Sequence, residues 1–350
     1  MRNRLLFFVI GLFLTVAVVN QSFSGTTGKI NGVVTDRETG DPLPGANVVI
    51  EGTMLGAATD LKGFYIINNI PPGKYSLKAS MIGFGQQTVT DVKVSTDLTT
   101  EINFELGTEV LELGREVVVQ AERPIVQKDL TSSQASVSSE EIDALPVQDV
   151  NQVLQLQAGV LRTDDGIHIR GGRASEVAYY VDGISVTDVY NNRLAVEVEN
   201  ASVQELQVIS GTFNAEYGQA MSGIVNIVTK DGGNDFHGNL TLYSGDYVSD
   251  HTGTFFHIDD INPTATHNVQ GTLSGPVPFT NKNLKFFATG RYYNTDGYIF
   301  GQRRYNIDGT QGDNEIVPLA REEKYSGQLK LTYQLFPGMT FRLSGFGSKG

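Results

Sequence analysis

The chain has 350 residues, 40% hydrophobic and 19% charged, enough for two or three domains of ordinary size. Its 39 glycines, 14 tyrosines and 18 phenylalanines favour β-structure, and a formal net charge of −13 argues against nucleic acid as a partner, because phosphate would be repelled. Cysteine is absent, which removes thiol catalysis, disulfides and cysteine-based metal sites.

The first segment reads as a secretory signal peptide over residues 1–24. Arg2 and Arg4 precede an apolar run over 5–19, and Ser22 and Ser24 are small residues placed for cleavage before Gly25. That run is shorter than the roughly 20 apolar residues a spanning helix needs. No later run approaches that length. The exported chain is therefore either soluble outside the cytoplasm or enters a membrane as strands, for which about 9–11 alternating residues suffice.

Residues 25–107 are patterned as β-structure throughout. "GKINGVVTD", "ANVVIEG", "GFYIINNI", "KYSLKASMIGF", "DVKVS" and "TEINFEL" are short β-prone runs separated by "TGDPLPG", "TDLKG" and "PPGK". Tyr75, Leu77, Ala79 and Met81 alternate, as do Ile102, Phe104 and Leu106. The pattern predicts a small Greek-key β-sandwich. "INGVVTDRETGDPLPGANVVIEGT" with "GFYIINNIPPGKYSLKASMIGF" resembles the carboxypeptidase regulatory-like domain, a transthyretin-like sandwich. The segment holds no histidine, so it lacks the ligands of a zinc peptidase and reads as a module without catalysis.

Residues 108–137 read as a linker rich in charge, glutamine and serine, with one β-prone run at Val117–Val119. An extended stretch of this kind either is solvated or adds to the edge of another protein's sheet. Glu116, Val117, Val118, Val119 and Ala121 in "EVVVQA" resemble the TonB box of outer-membrane receptors. That resemblance implies a TonB-type energy-coupling protein in the periplasm as partner.

Residues 138–234 are mixed. Ser138 with Glu141 forms a capping-box signature. Pro146 suits a helix start, Val147, Val150, Val153 and Leu154 follow at helical spacing, and Gly159 suits the helix end. Then come "IHIRGGRASEVAYYVDG", read as a hairpin, the run "VQELQVIS", and the strand-prone "GIVNIVTK". Together "LPVQDVNQVLQLQAGV", "IHIRGGRASEVAYYVDGISV" and "NAEYGQAMSGIVNIVTK" resemble the plug domain of TonB-dependent outer-membrane receptors. With the sandwich in front, the order resembles receptors of Bacteroidetes-type bacteria. Inside a barrel, charges must be paired to be buried. Arg170 and Asp182 are thus expected to face each other across the hairpin as a bidentate pair, with Gly171 and Gly172 freeing the turn and Gly183 the strand exit. Two solvated loop ends are the plainer alternative.

No catalytic constellation emerges. Arg170 and Asp182 have no neighbouring base or nucleophile, and no GxSxG, HExxH or phosphate-cradling glycine motif is present. His251 and His257 flank "TGTFF" ahead of Asp259 and Asp260, a pattern more often found in exposed loops than in metal sites. No metal or cofactor is expected.

Residues 235–350 carry barrel-like strands. In "KYSGQLKLTYQL", Tyr325, Gly327, Leu329, Leu331, Tyr333 and Leu335 alternate with Ser326, Gln328, Lys330, Thr332 and Gln334, one face for lipid and one for a watery lumen. "PVPFTNKN" and "FPG" are short connections, whereas "YIFGQRRYNIDGTQGDNEIVPLAREE" is long, as periplasmic turns and extracellular loops are. A barrel must close, because open edges strand backbone groups in hydrocarbon. The receptors it resembles close with about 22 strands. The chain is therefore expected to be the N-terminal part of a longer one.

The expectation is a mainly β multidomain chain: a β-sandwich, an α+β plug and the first strands of an incomplete transmembrane β-barrel. Its implied role is energised uptake of a large ligand (siderophore, glycan or peptide) across the outer membrane, with the N-terminal domain in the periplasm and lipid around the barrel. An adhesion or scaffold protein with the same modules, and a secreted hydrolase with an accessory sandwich, are the alternatives.

Overall fold

The computed structural model describes residues 26–108, 117–120, 133–211, 217–218, 220–280, 282–336 and 339–350. The expected signal peptide, Glu116 and Ala121 lie outside the described residues.

The first unit contains β1 (Gly28–Asp36), β2 (Asn47–Ile50), β3 (Gly56–Ala58), β4 (Phe64–Ile70), β5 (Gly73–Ser80), β6 (Gln87–Val94), β7 (Thr99–Glu101), β8 (Phe104–Leu106) and β9 (Val117–Gln120). One sheet runs β4-β1-β7 with β8 also on β1; the other runs β3-β2-β5-β6-β9. Period-2 patterning sends Ile30 and Val34 of β1, Tyr65 and Ile67 of β4, Leu77 and Ala79 of β5 and Val92 and Val94 of β6 into one core. The predicted run "TEINFEL" is two strands. Between them Asn103 Oδ1 accepts a hydrogen bond from Val33 N at 2.8 Å, so its side chain replaces a rung of the ladder on β1.

The second unit starts with β10 (Ser133–Ser138) and helix α1 (Ser139–Asp143), joined by the expected capping box: Ser138 N donates to Glu141 Oε2 at 2.8 Å. Helix α2 (Val150–Gln155) is capped by Asp149, whose Oδ1 accepts from Gln152 N at 3.0 Å. It therefore starts four positions after Pro146. It ends at Leu156, and Gly159, at φ +79°, turns the chain into the next strand. Strands β11 (Val160–Thr163) and β12 (Gly166–Ile169) form their own hairpin. Then come β13 (Val177–Val181), β14 (Ile184–Ser185), β15 (Val203–Ser210) and β16 (Gly223–Thr229), in a sheet ordered β10-β15-β16-β13-β14. Both α-helices pack on one face, where Ile142, Val153 and Leu154 meet Leu206, Val208, Val225 and Ile227. The other face carries Glu205, Gln207 and Asn226, all buried.

The first unit covers that polar face. Thr96 N donates to Glu205 Oε2 at 2.8 Å, Gln207 Nε2 donates to Thr96 O at 2.9 Å, and Tyr217 OH donates to Asp97 Oδ2 at 2.7 Å. Ser136 Oγ also donates to Glu205, so the buried carboxylate has a donor on each oxygen.

The third unit is an antiparallel meander of β17 (His237–Gly245), β18 (Thr266–Pro276), β19 (Leu284–Thr295), β22 (Glu322–Phe336) and β23 (Met339–Lys349). Strands β20 (Phe300–Gln302) and β21 (Ile316–Pro318) pair within the long connection between β19 and β22. Long connections over 246–265 and 296–321 lie at one end and the short ones at the other. Along β22 the outward Tyr325, Leu329, Tyr333 and Leu335 are exposed (Leu329 is 50% accessible), while Gln328, Lys330 and Thr332 are buried. That is a membrane strand's polarity, the reverse of a water-soluble sheet packed on an apolar core.

Candidate functional site

The buried polar side chains of β19 and β22 meet the second unit at two clusters of charge. In the first, Lys330 Nζ lies 3.2 Å from Asp182 Oδ1 and 3.0 Å from Asp231 Oδ1, and donates to Thr229 O at 3.0 Å. Asp182 in turn accepts from Thr229 N at 2.9 Å and Thr229 Oγ1 at 2.7 Å. Thr332 Oγ1 and Arg342 Nε also donate to Asp231, at 3.0 and 3.3 Å. Burial alone would raise the Asp231 carboxyl pKa, but the Lys330 and Arg342 cations hold it below the ordinary carboxylate value.

In the second cluster, Arg291 Nη1 lies 3.1 Å from Glu199 Oε2 and donates to Gln148 O at 3.0 Å, while Arg291 Nε donates to Asn268 Oδ1 at 2.6 Å. Ser326 Oγ donates to the other Glu199 oxygen. Lys324 and Glu197 pair nearby. Every cation here comes from the meander and every carboxylate from residues 182–231. The second unit is thus clamped to the wall's inner face.

This geometry corrects the expected pairing of Arg170 with Asp182. β12 pairs with β11, and β13 runs parallel to β16, so the two residues do not close one hairpin. Each sits in its own left-handed turn. Arg170 at φ +51° and Gly171 at +77° turn the chain after β12, with Gly172 N donating to Ile169 O at 3.0 Å. Asp182 at φ +50° and Gly183 at +79° link β13 to β14 as an Asp-Gly two-residue turn. Arg170 is exposed, whereas Asp182 is aimed at Lys330. The chain needs glycine at 172 because a Cβ there would come within 2.2 Å of the Ser222 Cβ.

Lys330 was visible in the sequence as one polar position in the β22 alternation. Nothing local marked it, or Arg291, as the partner of residues about a hundred positions away. A smaller cluster lies beside the Arg170 turn: His168 Nε2 is 3.0 Å from Asp165 Oδ1 and Nδ1 is 2.8 Å from Gly172 O. With oxygen acceptors at both ring nitrogens, the bond to Asp165 first and that to Gly172 second raise the His168 pKa. Asp165, held by Thr163 and His168, falls to about 2. His251 pairs with Asp250, both exposed, and among the described residues no group of three or more His, Asp or Glu side chains could hold a metal ion.

Of the expected coupling residues, Val117, Val118 and Val119 lie in β9, which runs parallel to β6 at the edge of the sandwich sheet.

A sandwich, a sheet-and-helix domain and a strand wall gripping that domain by inward-facing cations together define the class of plugged outer-membrane β-barrels. Comparison with known sequences agrees. Residues 30–119 match the model of the CarboxypepD_reg-like domain and residues 126–225 that of the TonB-dependent Receptor Plug Domain. The chain is 27% identical to the TonB-dependent transporter Oar of Myxococcus xanthus over 230 residues, 61% of this chain and 21% of that one. It is 32% identical to the TonB-dependent receptor P39 of Formosa agariphila over 261 residues, 70% of this chain and 23% of that one. The solved siderophore receptor PirA from Pseudomonas aeruginosa aligns with a TM-score of 0.44 at 22% identity, over 61% of this chain and 35% of that one. The chain belongs to the TonB-dependent receptors. It spans 21% and 31% of the lengths of the first two curated relatives it matches.

Proposed function

We propose that the chain is the plug-bearing part of an outer-membrane receptor that takes up a large ligand, with energy delivered from the periplasm. The observation that carries this is the polarity of the meander: apolar outward, and inward a set of cations that hold the plug's carboxylates. A plug held this way blocks the lumen, and polar contacts can be exchanged for water without exposing an apolar core. The sandwich faces the periplasm. There a TonB-type protein takes hold of the segment Glu116, Val117, Val118, Val119 and Ala121, and its pull displaces part of the plug. No bond of the ligand is broken, and no cofactor takes part. The ligand is a siderophore, a glycan or a peptide.

The test is Val118→Pro in the complete receptor. Proline removes a ladder donor and should abolish energised uptake of a radiolabelled ferric siderophore or oligosaccharide identified by screening. Binding of that ligand at the cell surface should survive. Loss of binding together with uptake would make the segment structural and defeat the coupling role.

A further inference from the structure

We infer that the sandwich presents β9 to the coupling protein as a preformed edge strand: the partner's strand adds to the outer edge of β9 while β9 stays on β6. This rests on the reading of Val117–Val119 as the coupling segment. Four rungs, Gln87↔Val117, Thr88↔Val118, Val89↔Val119 and Thr90↔Gln120, fix β9 in register. The sheet order ends at β9, and among the described residues no strand pairs with its other side. The match to the sandwich family runs to residue 119, so this strand belongs to the domain rather than to a free linker.

An edge strand offers a row of outward backbone donors and acceptors, and strand addition consumes them without displacing anything. Three successive valines suit that extended backbone. Because β6 already orders the segment, the partner does not have to order it on binding, which strengthens association. The platform is itself anchored. β6 runs directly into residues 95–97, where Thr96 and Asp97 bond Glu205, Gln207 and Tyr217 of the plug. A load on β9 thus reaches the plug along the chain to β10 and also through β6 to β15.

The native chain has no cysteine. Thr90→Cys with Gln120→Cys therefore places two thiols opposite each other across β6 and β9, and oxidation locks the strand in place. The probe is the purified periplasmic domain of the same organism's TonB-type protein, titrated calorimetrically against the oxidised and the reduced chain. The expected result is a Kd unchanged within about twofold, with a synthetic peptide of residues 113–125 binding at least about tenfold more weakly than the chain. A loss of about tenfold on oxidation, restored by reduction, would mean that β9 must leave β6, and would overturn the inference. Equal affinity of peptide and chain would overturn it too. Val118→Pro separates the two ideas. If that variant binds the probe like the parent, the coupling reading fails; if it does not bind and the locked chain binds poorly, presentation alone fails.

Discussion

Lys330 is the side chain on which the plug's attachment to the wall turns, because one ammonium with 2% exposure serves two carboxylates, Asp182 and Asp231. Removing one partner of a buried pair leaves the other charge uncompensated, at about 3–5 kcal/mol. Lys330→Met keeps most of the volume and loses the charge, so it should destabilise the plug by about that amount, read as a lower denaturant midpoint for protease exposure of residues 138–234. Adding Asp182→Asn should restore part of the loss, since an amide can still accept from Thr229 N and donate to Thr229 Oγ1. Additive losses would show that the two residues do not share one interaction. His168 gives a separate reading at the same scale. Its folded pKa lies above the ordinary 6.5, so its favourable contact with Asp165 is complete below 6.5 and fades as pH rises through the folded value. NMR titration should place its midpoint above 6.5, and Asp165→Asn should bring it back toward that value; an unchanged midpoint in the variant would remove Asp165 as the cause.

Among the elements, the junction between the Arg170 turn and the residue preceding β16 is a tight one, the Gly172 backbone lying against the Ser222 side chain. Gly172→Ala would push a methyl to within 2.2 Å of the Ser222 Cβ, and overpacking of this kind costs about 1–3 kcal/mol. The pair Gly172→Ala with Ser222→Gly exchanges the two volumes and should recover most of the thermal midpoint lost in the single variant. A single variant that melts like the parent would show that the turn can yield. This junction also marks where local reading of the sequence stops. Period-2 alternation fixed the faces of β5 and β22, and the capping box at Ser138 and Glu141 placed α1, because those signals are carried within a few residues. The Arg-Gly-Gly turn was legible as a turn, but not what it joins. A left-handed turn closes whichever strand pair the sheet supplies, and β12 found β11 while β13 found β16. Asp182 carries a charge partner, but not the expected Arg170. Its cation is Lys330, 148 positions away, because only the docking of the meander onto the second unit brings β22 to that turn.

At the scale of the whole molecule, the decisive property is which side of the meander meets hydrocarbon. Leu329 stands near the middle of β22, outward and 50% accessible, between Gln328 and Lys330, which point to the plug. In a water-soluble β-domain, an arginine at so exposed a position would change stability by no more than about 0.5 kcal/mol, because surface substitutions away from special features are nearly neutral. In a bilayer the same arginine at mid-depth costs about 2–4 kcal/mol, falling toward zero near the interfaces. Leu329→Arg should therefore lower the amount of receptor assembled in the outer membrane, and Tyr325→Arg, nearer the strand's long-loop end, should lower it less. Both side chains are outward on one strand, so the difference between them measures depth in the membrane and not a general intolerance of β22. Ligand binding per assembled molecule should stay at the parent level in both, since neither residue touches the clamp. Equal assembly of all three proteins would place this face in water and remove the barrel from the mechanism.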